Sequence, residues 1–344
     1  MKTEPGAWNI LIRNSIKTID ELSKKIDLTD EEKIDAKNLP LRITSYYLDL
    51  VKKYPVLRKA VVPTLNEFKV SDDESVDPLA EDLYKMTPCI IHKYPNRVLF
   101  TVTNICGTYC RYCTRSRMVG DNLNFTKSQW DEGFKYISEH PEIVDVLISG
   151  GDPLTLSDSN LDYILSNLKK IPHVSIIRIG TKVPVVLPQR ITNDLIDVLK
   201  RYQPVYINIH FTHEVELTDE CKNACKKLLS AGAILGSQTV LLKGINNDAK
   251  LLKDLFYELL KIGCKPYYLY QMDRIAGGSH FRCDLDEMIE IMKKLISYNT
   301  GMAIPEFIID TEIGKIPLRL DYVVRNENGK YTLTNFEKNK SIEY

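Results

Sequence analysis

The sequence predicts an α/β protein built as a partial (β/α)6 barrel of the TIM type, preceded by an N-terminal helical extension. Three observations carry that prediction. From Arg97 onward, short runs rich in β-branched residues alternate with amphipathic helical patterns. Successive strand starts fall roughly 30–45 residues apart, room enough for a right-handed crossover through a helix. The composition, 44% hydrophobic and 27% charged with 16 Gly and 16 Pro in 344 residues, is that of a globular chain with a full core. Length alone allows two domains, and one barrel with an extension fits it equally well.

In chain order, residues 1–90 read as the extension. Ile16, Ile19 and Leu22 recur at helical spacing, a second helix is expected over 44–53, and the acidic, turn-prone stretch 71–77 follows. The barrel occupies 91–303. Its strands are expected at 98–103, 144–149, 174–180, 205–211, 234–242 and 266–271, and its helices at 128–138, 161–169, 193–200, 219–230, 250–262 and 285–297. In the fifth of these helices Leu252, Leu255, Leu259 and Ile262 share one face, as in a helix that packs on a sheet. A seventh strand at 306–310 opens a C-terminal segment, 304–344. In such a fold chemistry gathers in the loops that follow the strands.

Basic and acidic residues balance at 46 each, which excludes an electrostatic nucleic-acid binder. The opening MKTEPGAWNI has Pro and Gly where a signal peptide would be apolar, and no run approaches the ~18 apolar residues of a spanning helix. A cytoplasmic protein without membrane contact is expected. Eight cysteines are too few for a disulfide scaffold of this size, and a tight cluster in a reducing compartment points to metal or catalysis.

Cys106, Cys110 and Cys113 form such a cluster directly after the first barrel strand. Three thiolates within eight residues can wrap one inorganic cluster, and a [4Fe–4S] cubane with three protein ligands leaves one iron open to a small molecule. A zinc site completed by a histidine, or a chance spacing of buried cysteines, would use the same residues. Ser149-Gly150-Gly151-Asp152 ends the second strand, where backbone bare of side chains admits a ligand, although such a pair often marks only a turn. Cys221 and Cys225 share a helical face with Leu228 and Leu229 and read as core.

YCRYCTR (109–115), PNRVLFTVT (95–103), SGGDPL (149–154), RIGTKVPVVLPQRIT (178–192), HFTH (210–213) and KPYYLYQMD (265–273) together resemble the lysine 2,3-aminomutase family of radical S-adenosylmethionine (SAM) enzymes. IKTIDEL (16–22), ITSYYLDL (43–50) and DPLAED (77–82) extend the resemblance into the N-terminal segment. It implies a barrel of the radical SAM type and an isomerase that moves the α-amino group of L-lysine to C3, giving β-lysine. The implied cofactors are a [4Fe–4S] cluster on Cys106, Cys110 and Cys113, SAM, and pyridoxal 5′-phosphate (PLP). An electron donor such as flavodoxin or ferredoxin is implied as partner, and a homo-oligomer is compatible with the family.

Residue by residue, the resemblance places Ser149, Gly150, Gly151, Asp152, His210 and Gln238 beside SAM. It makes Lys315, in DTEIGKIP, the lysine that carries PLP. A lysine does so only as a neutral amine in a partly desolvated site. Arg115 matches the arginine that pairs with the substrate carboxylate, and Asp273 and Asp310 match two carboxylates that hold the distal ammonium of lysine. Each also has a structural alternative: a strand-end hydrogen-bonder for His210 and Gln238, a surface turn for Lys315, a cap or a pair with Arg274 for the aspartates. Arginine as substrate, or a radical reaction without PLP, remains within the same family of enzymes, and a non-catalytic iron–sulfur or zinc protein is the reading from another class.

Two departures from the pattern stand out. The glycine-rich loop before the PLP lysine is longer in the family, and this chain has only Gly314 there. The longer members hold structural zinc with one cysteine after the fifth strand and three near the C-terminus. The first of those positions is Asp248 here and no cysteine follows Cys283, so zinc is not expected.

Overall fold

The computed structural model describes residues 7–34, 39–120, 125–297, 299–320, 322–327, 329–335 and 338–343. Its centre is a ten-stranded sheet whose order in space is its order in sequence. β1 (Lys85–Thr87) pairs antiparallel with β2 (Ile90–Tyr94), and β2 in turn with β3 (Arg97–Thr103). From β3 the sheet runs parallel through β4 (Asp145–Gly150), β5 (Ile176–Thr181), β6 (Tyr206–His210), β7 (Ile234–Leu241), β8 (Cys264–Gln271) and β9 (Glu306–Thr311). β10 (Gly314–Pro317) folds back antiparallel on β9. The partial barrel expected from the sequence is the fold of the chain.

The parallel strands exist because helices cover their outer face. α5 (Lys127–Glu139), α6 (Asp158–Lys169), α8 (Asn193–Arg201), α9 (Asp219–Ser230), α10 (Ala249–Lys261) and α11 (Leu285–Ile296) return the chain from strand to strand, with the short α7 (Val183–Val186) after β5. Five of them begin at a side-chain cap: Thr126, Ser157, Thr192, Thr218 and Asp248 each accept the N–H three residues on. Each cap satisfies one N–H that the first helical turn leaves without a partner. Asp248 thus has a local job, the start of α10. Leu252, Leu255 and Leu259 are buried on that helix as the pattern required, with Ile262 at its end. Cys221 and Cys225 are fully buried core residues.

Residues 7–34 and 39–84 wrap this barrel through α1 (Ala7–Arg13), α2 (Ile19–Ser23), α3 (Ser45–Lys53), α4 (Arg58–Val61) and single 3-10 turns. Ile16 lies outside the helix its spacing suggested: Thr18 caps α2, and Ile16 pairs with Ile43 in an isolated bridge. The extension stops being helical before residue 90, because β1 already adds to the sheet. A small separate sheet of β11 (Val323–Arg325), β12 (Tyr331–Thr334) and β13 (Ser341–Glu343) follows β10. No helix among the described residues is long and apolar enough to cross a membrane.

The two sides of the curled sheet meet through side chains. Lys93 on β2 donates to the carbonyl of Thr311 at the end of β9 (2.6 Å), and the Lys315 N–H on β10 donates to the Tyr94 hydroxyl (3.0 Å). Hydrogen bonds of this kind close the mouth of the barrel where no strand pairing does.

Candidate active site

A cavity of about 450 Å³ opens at the C-terminal ends of the parallel strands. Every residue singled out from the sequence lines it: the three clustered cysteines, Arg115, Ser149 to Asp152, His210, Gln238, Asp273, Asp310 and Lys315. The strand ends do the gathering. The cysteine loop leaves β3, the Gly-Gly corner ends β4, His210 ends β6 beside Gln238 of β7, Asp273 follows β8, and Asp310 and Lys315 face each other across β9 and β10.

The cysteine loop is pinned from outside by the extension. The N–H groups of Tyr109 and Arg111 donate to the carbonyls of Arg42 (2.9 Å) and Ala60 (2.8 Å), and Arg42 donates to the Cys106 carbonyl (3.3 Å). Arg111 is buried in a two-pronged ion pair with Glu67 and also donates to the Leu39 carbonyl (2.8 Å). Burial pushes all three thiols up; the Asp152 carboxylate and the other two cysteines add to the rise at Cys106, and Cys113 is pushed to about 11, with Cys110 adding to burial. Thiols that repel one another when ionised call for a cation among them. Among the described residues no three His, Cys, Asp or Glu side chains converge as a ready-made single-ion site. The three thiols line one wall of the cavity.

At the end of β4 the backbone requires glycine. Gly150 has φ +122°, and a Cβ there would lie 2.2 Å from the Thr103 carbonyl oxygen; a Cβ on Gly151 would lie 2.5 Å from the Ile105 oxygen. The corner therefore packs directly on the start of the cysteine loop, with hydrogen bonds from Gly151 to Thr103 (2.5 Å) and Asp152 to Ile105 (2.8 Å). The Asp152 carboxylate is taken by the chain itself: Leu154 N–H, Lys182 N–H, Val183 N–H and the Thr181 hydroxyl all donate to it. Its place in the wall is as the fastener between the β4 and β5 loops, while Ser149 and the two glycines present the bare surface.

Behind His210 lies a buried network that the motifs contained only in part and did not announce. Lys182 donates to Glu216 (2.9 Å) and Thr212 (2.8 Å), and Glu216, fully buried, also accepts the Tyr47 hydroxyl (2.6 Å) and the Thr212 N–H (2.6 Å). Tyr112, inside the cysteine loop, bridges His210 Nε2 and Thr212 at 2.8 Å each. Burial, and then the Lys182 charge, drives the His210 imidazole well below its ordinary value, so it is neutral at pH 7.

The opposite wall carries charge. Arg115 gives Nε and Nη2 to Glu81 (shortest contact 2.6 Å), so the extension orients the guanidinium that the sequence singled out. Burial pushes the Glu81 carboxyl up, but Arg115, with Arg117 and Lys93, outweighs it and holds the carboxyl below its ordinary value. Asp273 accepts the Thr114 hydroxyl on Oδ2 (2.6 Å), while its buried Oδ1 has no partner among the described residues; Arg274 turns away to Asp73. Burial lifts the Asp273 carboxyl to about 6, and Asp310 adds to the rise. Asp310 itself is ion-paired with Lys315, whose Nζ stands 5.0 Å from the Tyr270 ring centre. Lys93, Arg97 over the Tyr94 ring, and Arg178 paired with Asp145 complete this end of the cavity. Glu81 lies in a string already noted, but only the fold shows that it faces Arg115. Lys182, Glu216 and Asn208, whose buried Nδ2 has no partner among the described residues, likewise needed the fold to be seen.

The sequence profile of the Radical SAM superfamily matches residues 100–255, from β3 into α10. The chain is 43% identical over 341 residues to an L-lysine 2,3-aminomutase of Bacillus subtilis, spanning 96% of this chain and 72% of that protein. It is 43% identical over 323 residues to a glutamate 2,3-aminomutase of Clostridioides difficile (91% and 76%) and 34% identical over 326 residues to an L-lysine 2,3-aminomutase of Escherichia coli (91% and 94%). Likeness of this extent, together with a cysteine loop, a glycine corner and a lysine on one cavity, makes the chain a member of the lysine 2,3-aminomutase family of radical SAM enzymes, isomerases that use a [4Fe–4S] cluster, SAM and PLP.

Proposed function

We propose that this enzyme is a 2,3-aminomutase of free L-lysine, with β-lysine as product. The observation that carries the substrate is the buried, unpartnered Oδ1 of Asp273 in a wall that also holds Asp310. Such a wall favours a side chain that ends in a cation and repels the second carboxylate of glutamate. Cys106, Cys110 and Cys113 would hold the cluster, and Lys315 the PLP, with Arg97, Arg178 and Lys93 as cations near its phosphate. When bound, these groups and SAM supply the radical that takes a hydrogen from C3 and the carbonyl carbon that carries the migrating nitrogen.

What the chain's residues do is placement. Ser149, Gly150 and Gly151 offer SAM a surface without bulk, with His210 and Gln238 at its side. Arg115, held by Glu81, presents what remains of its fork to the substrate carboxylate. Asp273 fixes the far end of the substrate, and the distance between these two charges selects its length. The enclosed wall keeps water from a reactive carbon radical. An external one-electron donor such as flavodoxin or ferredoxin is required. Anaerobic reconstitution with iron, sulfide, SAM and PLP, followed by incubation with lysine, arginine or glutamate and analysis of the isomers by mass spectrometry, tests the reading. Lysine should turn over fastest; faster conversion of glutamate or arginine overturns it.

A further inference from the structure

We infer that the buried pair Lys182–Glu216 is a positioning device for SAM: through Thr212 and Tyr112 it holds His210 as the Nδ1–H tautomer, so that the histidine meets SAM as a hydrogen-bond donor. The inference rests on the function proposed above, which sets His210 beside SAM, and assigns the proton of that residue.

The proton's place follows from the hydrogen bonds taken one at a time. Glu216 is fully buried and its carboxylate is already engaged. Its Oε1 accepts the Lys182 ammonium (2.9 Å) and the Tyr47 hydroxyl (2.6 Å), and its Oε2 accepts the N–H groups of Thr212 (2.6 Å) and His213 (3.3 Å). Lys182 is a donor only. Three acceptors stand around its ammonium: Glu216, the Thr212 hydroxyl oxygen (2.8 Å) and the His210 carbonyl (3.4 Å). Thr212 Oγ1 therefore accepts from Lys182, and its own hydrogen needs another partner. Among the described residues the other polar atom bonded to Oγ1 is the Tyr112 hydroxyl oxygen, at 2.8 Å. Thr212 is 1% exposed, so a hydroxyl hydrogen left unpaired there would be costly. The hydrogen goes to Tyr112.

Tyr112 then passes its single proton to Nε2 of His210, also at 2.8 Å. A ring nitrogen that accepts carries no hydrogen, and in a neutral imidazole the other nitrogen must. The neutral state is the one that burial and the Lys182 charge impose on His210. The rival order has His210 donate from Nε2. Tyr112 must in that case give its proton to Thr212, which strands the Thr212 hydrogen, or to the Cys110 sulfur beside it, a weaker acceptor than an imidazole nitrogen.

The arrangement suits the ligand. Among the described residues Nδ1 has no hydrogen bond, and His210 lines the cavity. SAM carries a positive sulfonium, so an imidazolium beside it would repel. A neutral ring with Nδ1–H offers a donor to the oxygen and nitrogen acceptors of SAM and adds no charge. The Tyr112 ring, stacked on His210 at 5.7 Å with 27° between the planes, fixes the direction in which that N–H points.

Thr212→Val is the test, because it deletes one hydroxyl, keeps the side-chain volume and leaves Lys182 paired with Glu216. Long-range proton–nitrogen spectra of the full chain, carrying isotope-labelled histidine and free of iron, distinguish the tautomers. The His210 signals are identified by their loss in His210→Gln. Wild type should show Nδ1–H alone, and Thr212→Val should show Nε2–H, the form that free histidine favours. Thr212→Ser, which restores the hydroxyl, should return Nδ1–H. Lys182→Met combined with Glu216→Gln removes both charges together and should admit Nε2–H with Thr212 intact. Calorimetry on the reconstituted enzymes reads the consequence: SAM affinity should fall about fivefold or more in Thr212→Val and stay within about twofold of wild type in Thr212→Ser. A wild-type His210 protonated on Nε2, Nδ1–H retained in Thr212→Val or in the double variant, or unaltered SAM affinity in Thr212→Val overturns the inference while the function stands. Failure of the reconstituted wild type to bind SAM at all overturns the function, and the inference with it.

Discussion

Gly150→Ala is the sharpest test of how the glycine corner holds the site. Two costs follow from the structure. At φ +122° an L residue sits in a region essentially reserved for glycine, a strain of roughly 1–3 kcal/mol. The new Cβ would also lie 2.2 Å from the Thr103 carbonyl oxygen, a backbone atom that no rotamer can move aside. Relief requires β3 and β4 to part by about an ångström at their ends, which breaks the 2.5 Å hydrogen bond from Gly151 to Thr103, worth about 1 kcal/mol. The sum is roughly 2–4 kcal/mol. At a few degrees per kcal/mol, Tm should fall by roughly 5–15 °C. The cysteine loop starts from the strand that is displaced, so iron content after reconstitution should fall as well. Gly180→Ala is the control: it lines the same cavity, but its Cβ would meet Leu147 and Ser149 at an ordinary 3.8 Å. Melts followed by circular dichroism and iron analysis on both variants decide the matter. A Gly150→Ala protein that melts with wild type and carries full iron would refute the reasoning.

Replacing Cys106, Cys110 or Cys113 by Ala should each lower bound iron and the broad absorption near ~400 nm expected of such clusters; full iron in the triple variant would end the radical assignment. Borohydride treatment of PLP-loaded protein should give one adduct, at Lys315, and peptide mapping to another lysine would defeat that placement. Arg111→Met leaves Glu67 as a buried charge without its partner and should cost roughly 3–5 kcal/mol in a denaturant melt. For Asp273 the carboxyl is raised to about 6, so it is neutral below that pH and lysine affinity should climb between about pH 5 and 7, with norleucine unaffected. The same rise means the folded state binds the proton more tightly than the unfolded one. Its contribution to stability is present at low pH and lost as pH rises through about 6, and Asp273→Asn should remove that slope.

The barrel was legible because its signals are local and repeated. Each β-branched run and each Ser, Thr or Asp cap speaks for its own element, and the caps at Thr126, Ser157, Thr192, Thr218 and Asp248 all act within three residues. The three cysteines were legible for the same reason, since a loop eight residues long confines its own chemistry. The hairpin of β1 and β2 was not: KMT and IIHKY are too short to alternate clearly and become strands only by pairing, β1 with β2 and β2 with β3. Glu81 and Glu216 were hidden for another reason. Each meets its partner, Arg115 or Lys182, more than thirty residues away, and nothing in a local pattern shows such a contact. The pairing of Asp310 with Lys315 lies between these cases: they are five positions apart, yet which faces which depends on whether the turn holds two residues or more.

The extension has a physical role that follows from the cysteine loop. Ordering a free backbone costs about 1–2 kcal/mol per residue, so a loose eight-residue loop would draw on the order of 10 kcal/mol from the binding of whatever it holds. Here the loop is ordered by other means. Arg42 and Ala60 accept its N–H groups, Glu67 and the Leu39 carbonyl hold Arg111, Thr108 accepts the Thr44 N–H (3.2 Å), and Tyr112 reaches Thr212. These contacts come from the extension and from the β6 end, not from the thiols, so the loop keeps its shape whichever state the thiols are in. Binding energy of the cluster is then free to act against thiol repulsion and burial, which push the cysteines up. The same logic holds at Arg115, where Glu81 fixes the side chain before any carboxylate arrives. A site that handles a radical needs its reacting groups placed in advance, and in this chain residues 39–84 supply that placement from outside the barrel.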